Sequence, residues 1–189
     1  DLSKAYRLVP GTGWDVPPGV LHAPGSLCTY EPQVASDVYA MYQSLVDDQI
    51  VPESLLWKDC PADRIGDFDY LMEVIDWEAN VDPEFGKHRF MRPADAAPEA
   101  EMRDGGYLDR WICWRSPAVS AKELTVLPGR TATIRDGAAY GLIVLQGHGT
   151  LGGLPLETPA LIRYGQLTFD EYFVSESAAR AGVKIANAS

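Results

Sequence analysis

The Pro-x-Gly step at Pro17 to Gly19, inside the stretch GTGWDVPPGVLHAPGS from Gly11 to Ser26, constrains this chain more than any other feature. Pro17 has a fixed φ and no N–H to donate, and Gly19 can take φ > 0, so the pair suits a tight turn between two strands. A strand leaving that turn projects alternate residues inward. At its start stands His22, whose neutral imidazole is a good ligand for a divalent transition metal. The competing reading is an ordinary, partly buried histidine beside a proline turn.

The runs on either side are also strand-like. Tyr6 to Val9, Val20 to His22, Leu27 to Glu31 and Val38 to Val46 are expected as strands. The alternation of Val38, Ala40, Tyr42 and Ser44 against Tyr39, Met41, Gln43 and Leu45 fits a sheet covered on both faces. Residues 1–50 thus read as about half of a β-sandwich. Residues 51–115 form a connector. Pro52 to Leu56 begins a short helix, and Asp67 to Trp77 predicts an amphipathic helix capped by Asp67, with Phe68, Leu71, Met72 and Ile75 on one face. Ala94 to Glu101, among prolines 83, 93 and 98, reads as linker, and Asp109 to Trp114 starts a new strand.

Residues 116–189 read as a second all-β unit. Its expected strands are Glu123 to Leu127, Thr131 to Ile134, Gly141 to Gln146, Ala160 to Arg163, Gln166 to Val174 and Val183 to Ala186. Turn signals at Pro128-Gly129, Asp136-Gly137, Gly147 to Gly149 and Gly152-Gly153 give the spacing of a sandwich or jelly roll.

Composition narrows the partners. With 189 residues, 46% of them hydrophobic, the chain can bury one sizeable core or two small ones. Its net charge is -11 and it has no basic run, which disfavours nucleic acid and anionic membrane surfaces. No apolar run approaches the roughly 18 residues of a spanning helix. Cys28, Cys60 and Cys113 are scattered and odd in number, so neither a disulfide framework nor a zinc knuckle is expected, and a cytoplasmic setting is the simplest.

The spacing Gly11, Pro17, Gly19, His22 resembles the second metal motif of the cupin superfamily, G-x5-P-x-G-x2-H-x3-N, with Ser26 at the Asn position. The run Leu142 to Leu151, LIVLQGHGTL, is similar to the strand, turn and strand that follow the first cupin motif. Together they imply a mainly β fold: two double-stranded β-helix (cupin, jelly-roll) units in tandem, joined by a partly helical connector. The family's H-x-H is missing, since the histidines are His22, His88 and His148. The resemblance therefore implies either a fragment lacking the upstream half of the first barrel or a dead site. The second barrel has lost its ligands, with Ala138, Ala139, Tyr140 and Gly141 near the first motif and no histidine in Gly165 to Val174. His148 is expected in an exposed Gly-His-Gly turn.

Tyr30 to Gln43 further resembles the strand after that histidine in type I phosphomannose isomerases. What this implies is one divalent metal (Zn, Mn, Fe or Ni), with His22 as a ligand, and a sugar or polyol substrate. A metal there would polarise carbonyl and hydroxyl for aldose-ketose proton transfer. Glu31, Gln33 and Trp14 are the candidate substrate-binding residues; Glu31 is equally expected to pair with Arg7 or to lie at the rim. Trp14, Tyr30, Tyr39 and Tyr42 read as sugar-stacking residues or as core. Asp37, after Ser36, is expected in a turn. Lys122, Glu123, Asp170 and Glu171 stand out only as charged strand residues. The family's phosphate-handling arginine is replaced by Ala40 or Met41, which argues against a phosphorylated sugar. Two rival functions remain: a non-catalytic cupin binding a carbohydrate or metabolite, and a metal-dependent oxygenase. A homodimer is the expected assembly.

Overall fold

The computed structural model describes residues 3–36 and 38–189, so Asp37 lies outside the described residues. The chain divides into two compact units, Asp1–Pro93 with Ile112–Ala121, and Ala94–Trp111 with Lys122–Ser189. It is β-rich, with small antiparallel sheets and short helices. Among the described residues no helix is long and apolar enough to cross a membrane.

The first unit holds β1 (Gly13–Trp14), β2 (Leu45–Val46), β3 (Gln49–Ile50), α1 (Phe68–Glu73), α2 (Trp77–Asn80), α3 (Phe85–Arg89) and β4 (Phe90–Met91). Strand β1 pairs with β4. Strands β2 and β3 form a hairpin whose two turn residues, Asp47 and Asp48, both have positive φ (47 and 61°), as a tight primed turn requires. The expected N-cap is present, the Asp67 carboxylate accepting from the Tyr70 N–H at 3.0 Å. The helix ends sooner than its periodicity predicts, because Asp76 caps a new helix by accepting from the Ala79 N–H at 2.9 Å. Of the predicted apolar face, Leu71 and Ile75 are buried. Phe68 and Met72 are exposed, Phe68 resting edge-on against Trp57.

The Pro17 turn forms as expected: the Val20 N–H donates to the Pro17 carbonyl at 3.3 Å, and Gly19 has φ of 80°. The segment leaving the turn, Val20 to His22, is not a strand. The Gly19 carbonyl accepts from the Asp76 N–H at 3.0 Å and from Asn80 Nδ2 at 2.7 Å, and the Leu21 N–H donates to Asn80 Oδ1 at 2.9 Å. Backbone groups committed to the α1–α2 junction are not free for a ladder. Tyr6 to Val9 and Leu27 to Glu31 likewise carry no ladder, and of Val38 to Val46 only Leu45–Val46 pairs. Alternation marks two faces, but a strand needs a neighbour, and the described residues place none alongside.

The second unit contains β5 (Ala94–Asp95), α4 (Glu99–Asp104), β6 (Tyr107–Cys113), β7 (Ala121–Val126), β8 (Thr131–Ile134), β9 (Tyr140–Ile143), β10 (Gly147–Leu151), β11 (Leu154–Thr158), β12 (Glu171–Val174), α5 (Glu176–Ala181) and β13 (Val183–Asn187). The last residues of β6 and the first of β7 run into the 112–121 segment. The stretch expected as linker thus holds β5 and α4. The sheets run β11-β10-β13-β8, β12-β9 and β5-β6-β7.

From β8 onward the antiparallel pairs are nested: β10 with β11, β9 with β12, β8 with β13. One arm, β8-β9-β10, is therefore matched in reverse by the other, β11-β12-β13. A further pairing of β10 with β13 closes the larger sheet. Ala132, Ile134, Leu151, Leu156, Val174 and Ile185, alternating with outward residues, fill the core with Val126 and Ala179. Gly149 allows the closure, since a Cβ there would lie 1.9 Å from the Ala186 carbonyl oxygen. Gly147 to Gly149, expected as a turn, is the start of β10, whereas the turn expected at Gly152-Gly153 forms between β10 and β11 (φ 58 and 92°). Ala160 to Arg163 forms no strand, and of Gln166 to Val174 only the last four residues pair.

Candidate functional site

The residues singled out by the motif do not converge. His22 is exposed, and its Nδ1 lies 2.8 Å from the Val20 carbonyl oxygen. A carbonyl only accepts, so Nδ1 carries the hydrogen of this contact. Glu31 is exposed and accepts from the Thr29 hydroxyl at 3.1 Å; Gln33 is exposed as well. Trp14 sits in β1 within an aromatic cluster, its ring centroid 4.8 Å from Tyr6, 5.2 Å from Phe90 and 6.3 Å from Phe85. Its Nε1 is buried without a hydrogen-bond partner. Among the described residues no three His, Cys, Asp or Glu side chains come together as a metal would need. One imidazole nitrogen does not make a divalent-metal site, so the donor set found here does not fit the metal that the resemblance implies.

A different constellation forms in the second unit. Asp109 and Lys122 stand on β6 and β7 at the period-two positions that face the interior, beside Tyr107 and Trp111 on one strand and Leu124 and Val126 on the other. Asp109 is only 6% exposed. Lys122 Nζ donates to Asp109 Oδ2 at 3.1 Å and to Asp136 Oδ2 at 2.8 Å, and lies 4.5 Å from the Trp111 ring centroid. A cleft of about 300 Å³ opens on this cluster, lined by Met102, Tyr107, Asp109, Lys122, Thr133 and Arg135 with two alanines. Two polar atoms here are buried without a partner, Asp109 Oδ1 and the Tyr140 hydroxyl. An orphaned buried polar atom costs about 1–3 kcal/mol, which a bound ligand can return.

The electrostatics set what this cluster can do. Burial by itself depresses the Lys122 pKa, but its hydrogen bonds to Asp136 and Asp109 outweigh burial and hold it above the usual lysine value. Lys122 is thus a fixed ammonium, a donor and not a neutral amine able to attack a carbonyl. Burial would raise the Asp136 carboxyl, but the Lys122 bond and the Gly137 N–H hold it below the usual carboxylate range. Burial, then the Asp136 charge, pushes the Tyr140 phenol up, so it stays protonated. Such a cluster presents fixed donors and acceptors.

The sequence marks Lys122 only as one charged strand residue among several and Asp109 only as the start of a strand, because no spacing links the two. A signal was present nonetheless: each is a charged residue at an inward position of an otherwise apolar or aromatic alternation, YLDRW and AKELTV. Compared with known proteins, the chain matches no family model, no curated protein and no solved structure.

Proposed function

We propose that the second unit is a jelly-roll module of the cupin kind whose role is to bind a sugar- or polyol-sized metabolite. The observation that carries this reading is the polar cleft at Asp109 and Lys122, whose volume of about 300 Å³ is that of a small-ligand site. The nested pairing of β8 through β13 supports a double-stranded β-helix, a fold that folds a long hairpin over into two facing sheets. Fixed charges favour binding over proton transfer here. The test is titration of the full chain with a panel of aldoses, polyols and sugar acids, followed by heteronuclear NMR. Saturable shifts at Asp109, Lys122 and Tyr140 are expected, and a panel without any saturable binder would refute the proposal.

A second reading is the metal-dependent isomerase. It is supported by the Gly11, Pro17, Gly19, His22 spacing and by the anchoring of His22 Nδ1 on a backbone carbonyl, the usual support of a ligating imidazole. It requires donors beyond the described residues. Elemental analysis finding less than about half an equivalent of any divalent transition metal would end it. Bound metal with aldose-ketose conversion, both lost in His22→Ala, would establish it.

A further inference from the structure

We infer that the cleft of the second unit takes a sugar acid of monosaccharide size, its carboxylate on Arg135 and one hydroxyl bridging Lys122 and Asp109. This rests on the ligand-binding reading above and specifies its ligand.

The hydroxyl follows from the orphaned atom. Asp109 Oδ2 is taken by Lys122, while Oδ1 is buried with no partner. Lys122 has three N–H donors, and two are committed to Asp109 and Asp136. An acceptor oxygen beside a spare ammonium donor calls for a group that accepts and donates at once, and a hydroxyl does both. An ammonium ligand would meet Lys122 and Arg135, and a bare anion would meet the Asp109 carboxylate. Oδ1 is closed off from water, so the hydroxyl reaches it by displacing whatever side chain covers it.

The carboxylate follows from Arg135. It lines the cleft and, among the described residues, has no carboxylate partner. Its planar fork matches a carboxylate through two parallel hydrogen bonds. Charge limits the anion. Asp109 and Asp136 cancel Lys122 and Arg135, so a monoanion leaves one unbalanced charge and a dianionic phosphate nearly two, in a chain of net charge -11. The volume, at the low end for ligand sites, accommodates one sugar ring.

The experiment is calorimetric titration of the full chain with glucuronate, glucose, glucose 6-phosphate and inorganic phosphate, on the wild type, Arg135→Gln and Asp109→Asn. Glucuronate should bind best. Glucose to the wild type, and glucuronate to Arg135→Gln, should each be weaker by about tenfold or more. Asp109→Asn should weaken glucuronate and glucose alike, with circular dichroism confirming that it folds; if it does not fold, the exposed Arg135→Gln decides alone. Equal binding of glucose and glucuronate, or no effect of Arg135→Gln, overturns this inference and leaves the proposed function standing. Tighter binding of glucose 6-phosphate, or equal binding of inorganic phosphate, overturns it too. If none of these sugars binds, this inference fails, and the proposed function fails with it only when the wider panel of aldoses, polyols and sugar acids also yields no binder.

Discussion

At Lys122 two opposed effects meet, and the hydrogen bonds outweigh burial. Because its folded pKa lies above the unfolded 10.5, its contribution is complete below 10.5 and is lost as pH rises through the folded value. Asp136 has the opposite sign. Its folded pKa lies below 3.8, so its contribution is complete above 3.8 and is lost as pH falls through the folded value. Lys122→Met leaves Asp109 buried without its cation and should destabilise the protein by about 3 kcal/mol in urea unfolding at neutral pH. The same variant should flatten the acid and alkaline losses of stability relative to the wild type; unchanged losses would show that other groups cause them. His22, exposed and bonded only to a local carbonyl, should by contrast tolerate His22→Ala within about 0.5 kcal/mol in the same measurement.

At the scale of elements, two glycines hold the chain where the fold needs close approach. Gly19 combines φ of 80° with a Cβ position 2.8 Å from the Asp76 nitrogen and 2.9 Å from the Val74 carbonyl oxygen. Gly19→Ala should push the turn off the α1–α2 junction and cost about 2 kcal/mol, seen as a lower urea midpoint together with faster amide exchange at Asp76 and Leu21. Gly149→Ala wedges a methyl between β10 and β13 and should cost about 3 kcal/mol, with exchange protection lost first at Ile185 and Leu151. Protection unchanged there would mean that the two strands are not held by this contact. The Pro17 turn was legible because proline and glycine act locally. Its docking on Asn80, about sixty residues further along, was not, since that bond depends on where the helices pack.

Over the whole molecule, 27 acidic against 16 basic residues leave a charge of -11, and this repulsion acts on the folded state more than on an expanded chain. Raising ionic strength from about 0.01 to 0.2 M shortens the screening length from roughly 30 to 8 Å or below. The melting temperature should rise accordingly, and a fall would point to specific ion pairs as the dominant electrostatic term. Strand order also belongs to this scale. The runs Thr131 to Ile134 and Val183 to Ala186 each announce a strand, yet nothing within either says that they lie side by side. That pairing emerges only when the arm from β8 to β10 is laid against the arm from β11 to β13.

Features that depend on neighbours a few residues away were legible in the chain: the Pro17 to Gly19 turn, the Asp67 cap, the β-rich second half and the net negative charge. Which strands pair, that the segment from Gly19 to Leu21 gives its hydrogen bonds to a helix junction, and that Asp109, Lys122 and Asp136 form one ion-paired cluster emerge only from tertiary packing. The physical reason is range. Backbone sterics and capping act within a turn of chain, whereas burial and charge pairing are set by whatever distant segment the core brings alongside.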